Sequence, residues 1–78
     1  MNQLKQVFAK VLNLQDEQII VELSPDNCVA WDSLNAIVLV TEIEKAFNIK
    51  FTFDEAMAVK NFGDAVKLVA SKGIELNG

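Results

Sequence analysis

Apolar residues at positions 4, 7, 8, 11 and 12 (Leu, Val, Phe, Val, Leu) recur at the spacing of one helical face. Lys5, Gln6 and Lys10 between them supply the wet face, and Asn2 stands where an N-cap belongs. The spacing predicts a helix ending near Asn13 to Gln15. From about Gln15 to Asp32 the period is lost. Ser24-Pro25-Asp26-Asn27 is a strong turn signal, yet Ile19, Ile20, Val21 and Leu23 are too apolar to be left in water. This segment reads as a long irregular connection, pinned down by those side chains and containing one helical turn. Periodicity returns from Ser33 to Phe47, a helix about 22 Å long at 1.5 Å per residue. Its apolar residues cover almost the whole circumference in the first half, so it is buried on several sides or lines a pocket.

Asp32 can cap that helix, and Asn48 can end it. After the bridge Ile49-Lys50-Phe51, Thr52 stands three residues before Glu55. That is a capping box opening a short third helix through Ala56 and Met57. Asn61 and Asp64 repeat the signal more loosely before a fourth helix from Phe62 to about Lys72, with Phe62, Ala65, Val66 and Val69 as its inner stripe and Leu68 beside it. Gly73 suits the position after its end, with Ile74 packing back in a Schellman ending. The expected fold is all-α, a four-helix bundle of three main helices and a short third one, with a long connection between the first two. Phe8, Ile43, Phe47, Phe62 and Val66 are the expected core.

Composition narrows the chemistry. The 78 residues make one domain, residues 1–78, too small for a deep cleft between lobes. There is no His, no Tyr and no Arg; all seven cations are Lys. An imidazole base and a guanidinium clamp for phosphate are therefore absent. One cysteine, Cys28, excludes an internal disulfide framework and a multi-cysteine metal site. With no His to activate it, Cys28 reads as an inert small hydrophobe. Asp16-Glu17 and Asp54-Glu55 are only pairs without calcium-loop spacing, so no metal is expected. The net charge of −4 argues against nucleic acid. It is concentrated in residues 15–58, where nine acids face two lysines. The run Ile37-Val38-Leu39-Val40 falls far short of the ~20 residues of a membrane span. The N-terminus lacks a signal-peptide pattern. A cytoplasmic monomer is the expectation, and no enzyme can be assembled from these side chains.

Ser33 is the residue with chemical promise. Asp32-Ser33 can be simply an N-cap pair. A phosphate ester on Ser33, however, would meet unpaired N–H groups and the positive end of a helix. The apolar helix behind it would offer a dry wall to whatever hung from that phosphate.

Asp32-Ser33-Leu34, followed by Ile37, Leu39, Val40, Ile43, Glu44 and Phe47, resembles the acyl carrier proteins. The resemblance covers essentially the whole chain, including the length, the acidity and the helix order. It implies 4′-phosphopantetheine on Ser33, donated by coenzyme A, with acyl groups carried as thioesters. It also implies a phosphopantetheinyl transferase and acyl-loading and acyl-transfer enzymes as partners. Asp32, Leu34, Glu42 and Glu44 are the expected recognition residues, with the acidic segment steering the chain onto basic partners. Trp31 departs from the small residue often found before the Asp. Asn35, Val38 and Lys45 stand where the fatty-acid-synthesis type commonly has acids. A Trp-Asp-Ser-Leu start looks more like stand-alone carriers of specialised pathways. An aminoacyl or peptidyl carrier shares these features, and an unmodified acidic interaction module is the reading from another class. Trp31 either anchors the connection over Ile19 or Leu23 or also shields the root of the arm.

Overall fold

The computed structural model describes residues 2–74. In chain order it contains α1 (Asn2–Leu12), a 3-10 turn (Asp16–Gln18), α2 (Ser33–Phe47), α3 (Phe53–Met57) and α4 (Phe62–Ser71). No strand occurs among the described residues. The expected all-α bundle and its long connection are present, including one helical turn within the connection. Asn2 is already inside α1, and its expected capping side chain lies outside the described residues.

Two helices end by the same device. Asn13 (φ 56°) and Asn48 (φ 55°) adopt the left-handed conformation that asparagine tolerates. The next N–H then turns back into the helix: Leu14 N–H donates to Ala9 O at 2.9 Å, and Ile49 N–H to Glu44 O at 3.1 Å. These are Schellman endings, and Leu14 and Ile49 pack against the core as such endings favour. At the end of α4, Gly73 stands at φ 87° and its N–H reaches Ala70 O at 3.0 Å, with Ile74 against the core.

The centre of the core is an aromatic stack. Phe8 of α1 meets Trp31 edge-on (5.4 Å between centroids) and Phe62 of α4 likewise (4.9 Å). Leu4, Leu12, Leu39, Ile43, Ala65 and Val69 close around it. Ile19, Leu23 and Cys28 of the connection are buried in the same cluster, Cys28 as the small hydrophobe expected. Two core assignments need correction: Phe47 and Val66 are half-buried at the edge, not central. Phe47 is the last residue of α2 and packs against the core from its edge. The central place falls to Trp31, which is 4% exposed.

The connection is held by its backbone as well. Phe62 N–H donates to Leu23 O at 2.9 Å and Gly63 N–H to Val21 O at 3.0 Å. Two orphan donors of the α4 N-terminus are thereby satisfied from some forty residues upstream. A Cβ on Gly63 would stand 2.7 Å from Val21 Cγ1, so glycine permits this close approach.

Candidate functional site

Ser33 is the first residue of α2, and its position is set by its neighbours. Asp32 is extended (φ −101°) and accepts the Asn35 N–H on Oδ1 at 2.8 Å. Its own carbonyl takes the first helical bond, from Ala36 N–H at 2.9 Å. The Asn35 side chain reaches back to Ala30 O at 2.7 Å and clamps the end of the connection to the helix. With Asp32 as cap, the Ser33 hydroxyl is not needed to hold the helix start, and Ser33 is exposed. The N–H groups of Ser33 and Leu34 have no partner within the helix, and the helix dipole adds positive potential there. That arrangement suits a phosphate ester, so the residues present fit a phosphopantetheine group.

A groove runs away from Ser33 between α2 and α3. Ser33, Ile37, Val40, Thr41 and Glu44, all on one helical face, form one wall. Phe53, Ala56 and Met57 form the other, with Phe51 and Thr52 at the far end, and the space is ≈ 590 Å³. Beneath it lies a cavity of only ≈ 30 Å³, whose walls include Phe8 and Trp31. Ala36, Val40, Phe51 and Ala56 line both spaces and so form the partition between them. The apolar circumference of α2 now has an explanation. Leu39 and Ile43 enter the core, Ile37 and Val40 face the groove, and Leu34, next to Ser33, and Val38 remain exposed.

Polar ties hold the α3 wall. Thr52 Oγ1 accepts Glu55 N–H at 3.1 Å, and Glu55 Oε1 accepts Thr52 N–H at 2.8 Å, the reciprocal box expected from the sequence. Lys72 Nζ, at the end of α4, approaches both Glu55 oxygens at 2.8 Å. The hydrogen bond from Lys72, followed by that from the Thr52 backbone, holds the Glu55 carboxyl below its usual value. Glu44 Oε2 accepts Phe51 N–H at 2.8 Å, fixing the bridge that leads into α3.

Of the four expected recognition residues, Asp32 and Leu34 flank Ser33 and are exposed. Glu44 closes the far end of the groove with one carboxylate oxygen engaged. Glu42 lies two and a half turns from Ser33, on the side facing Gln3, Gln6 and Lys10 of α1, and is 3.7 Å from Lys45. Trp31 offers no exposed face to an arm, so the idea that its ring shields the root of the arm is corrected; it packs inward on Phe8. The sequence reading missed Phe53 and Met57, which are 76% and 62% exposed. Their four-residue spacing on a capped helix was the available signal. Among the described residues no three metal-ligating side chains cluster, and no helix is long and apolar enough to cross a membrane.

Comparison with known proteins agrees with this geometry. Residues 2–69 match the family model described as "Phosphopantetheine attachment site". An acyl carrier protein of Azobacteroides pseudotrichonymphae is 30% identical over 70 residues, covering 88% of this chain and 82% of that one. One from Porphyromonas gingivalis is 33% identical over 58 residues, 74% of each. A solved structure from Mycobacterium tuberculosis, described as a candidate acyl carrier protein, superposes with a TM-score of 0.78 at 28% identity, over 88% of this chain and 92% of that one. Shared helices, shared length and the matched attachment-site model place the chain in the acyl carrier protein family, whose members carry acyl groups on 4′-phosphopantetheine.

Proposed function

We propose that Ser33 is the attachment residue and that residues 1–78 work as one carrier domain, cytoplasmic and monomeric, without catalysis of its own. The observation that carries this reading is the exposed Ser33 hydroxyl at the first turn of α2, freed from capping by Asp32 and opening onto an apolar groove. The other two serines are engaged elsewhere: Ser24 Oγ accepts Asp26 N–H at 3.2 Å, and Ser71 Oγ donates to Leu68 O at 2.6 Å.

In the transfer, Ser33 Oγ bonds to the pantetheine-side phosphorus of coenzyme A. The bond from that phosphorus to the bridging oxygen breaks, and adenosine 3′,5′-bisphosphate leaves. The hydroxyl proton passes to a base of the transferase, since this chain has no histidine to take it. Once attached, the group supplies a thiol on which acyl chains travel as thioesters. The chain's own part is to present Oγ, to stabilise the ester's negative charge with the Ser33 and Leu34 N–H groups, and to be recognised. Asp32 and Leu34, beside the ester, are the contacts for a phosphopantetheinyl transferase and for acyl-loading and acyl-transfer enzymes. Tethering then replaces free diffusion with a high local concentration of cargo at each partner.

The test is intact mass after incubation with a phosphopantetheinyl transferase and coenzyme A. Wild type gains one phosphopantetheine, and Ser33→Ala gains none while keeping its helical circular dichroism. A mass gain in Ser33→Ala overturns the assignment. Asp32→Ala loses about 0.5–2 kcal/mol through its cap and is modified more slowly.

A further inference from the structure

We infer that a hollow in the connection between α1 and α2 is a docking surface for the phosphopantetheinyl transferase, taking an apolar side chain flanked by basic residues. The inference rests on Ser33 being the attachment residue. The hollow is ≈ 540 Å³ and is lined by Leu14, Ile20, Leu23, Cys28, Val29 and Ala30. Leu23 and Cys28 are buried, whereas Ile20 and Val29 stand 52% and 99% exposed. Single apolar residues scattered on a surface are ordinary, but these two share one apolar hollow. Its two polar lining residues, Gln18 and Asn27, are already bonded to the connection's own backbone. Gln18 Oε1 accepts Gln15 N–H at 2.8 Å. Asn27 Oδ1 accepts Ser24 N–H at 3.0 Å, and its Nδ2 donates to Glu22 O at 2.9 Å. An incoming side chain therefore meets a mainly apolar surface, as at the centre of a protein interface.

The rim of the hollow is acidic. Glu17, Glu22 and Asp26 each adjoin a lining residue in the chain, and all three are exposed. No cation stands between Lys10 and Lys45. Among the described residues the ion pairs are Lys45–Glu42 and Lys72–Glu55, so the three rim acids have no lysine partner. The acids of α2 are placed differently: Glu42 has Lys45 at 3.7 Å, and Glu44 has Phe51 N–H at 2.8 Å. Uncompensated charge thus gathers on the connection, where it attracts a basic partner and repels a second copy of this chain. Asn35 ties the hollow to the attachment site. Its N–H donates to Asp32, and its side chain donates to the carbonyl of Ala30, a lining residue. Acyl enzymes meet the thiol at the end of the arm and can stand off from the bundle. The transferase has to bring coenzyme A to Ser33 Oγ itself, so its footprint falls on surfaces fixed relative to Ser33.

Docking is read apart from attachment by calorimetric titration of Ser33→Ala with a phosphopantetheinyl transferase that modifies wild type, coenzyme A present. Adding Ile20→Ser and Val29→Ser should raise Kd about tenfold or more, with its salt dependence unchanged. Adding Glu17→Gln and Asp26→Asn should raise Kd less and flatten its salt dependence. Val29→Ser alone is the further variant, since a side chain 99% exposed has no packing to lose. Circular dichroism checks that each variant is folded. An unchanged Kd in both apolar variants, or no binding at all, overturns the proposal. So does a dimer in sedimentation that Val29→Ser dissolves, because a second copy would then occupy the hollow. A mass gain in Ser33→Ala strikes the attachment residue instead, and the Kd series still decides the hollow.

Discussion

The helices α3 and α4 open on similar signals and then differ. Thr52 caps α3 through Glu55 N–H, and Asn61 caps α4 through Asp64 N–H at 2.7 Å. After its cap, α4 fully buries Phe62, Ala65 and Val69, whereas no residue of α3 is fully buried. Five residues with Phe53 and Met57 facing water cannot be held by apolar packing. α3 is held by polar ties, namely its own box, the Glu55–Lys72 contact and the Glu44 carboxylate on Phe51 N–H, and by Phe51 and Val59 on either side of it, which pack against the core. One wall of the groove therefore leans more on hydrogen bonds, while the rest of the bundle leans more on hydrophobic burial. A capping signal starts a helix, but only the apolar residues that follow decide how firmly it is kept.

The largest test of that contrast is Phe62→Ala, which removes one ring of the central stack. It should cost about 3–5 kcal/mol, read from urea denaturation, and in a domain this small that loss approaches the whole stability. Met57→Ala in the same assay should stay within about 0.5 kcal/mol; equal losses would abolish the distinction. Next comes Asn48→Val, which forces a β-branched residue into the left-handed turn before the α3 bridge. It should lose about 1–2 kcal/mol, while Asn48→Gly stays near wild type. Thr52→Ala should loosen α3 by about 0.5–2 kcal/mol, seen as faster hydrogen exchange at the Glu55 amide with little change in the urea midpoint. The smallest effect is electrostatic. The Glu55 carboxyl titrates below its ordinary 4.5 in the folded protein, so its tie to Lys72 is present above that pH and is lost as pH falls through the lowered value. Lys72→Met should return the Glu55 titration, followed by NMR, towards 4.5.

The sequence disclosed what is local. Asp32, Thr52 and Asn61 were readable as caps because a cap and its target N–H lie within three residues. Ser33 and its place at the start of α2 were readable for the same reason. What spans distance was not. Trp31 lies in a segment without period, so nothing in its neighbourhood told that it would meet Phe8 in the core. Phe47 looked central by its helical spacing, but whether the last residue of α2 reaches the centre of the core depends on the other helices. The sequence marks Glu44 as an expected recognition residue, and its bond to Phe51 depends on how the chain returns seven residues later.

The two hydrogen bonds that join Val21 and Leu23 to the start of α4 bear on how the chain folds. They close a loop of about forty residues, and loop entropy delays such contacts relative to those within helices. The connection and the α4 N-terminus each need the other in place to satisfy these groups. A cut or an insertion between residues 19 and 23 would leave the Phe62 and Gly63 amides without acceptors. The segment that looks least regular is for that reason the one whose integrity governs whether the last helix docks.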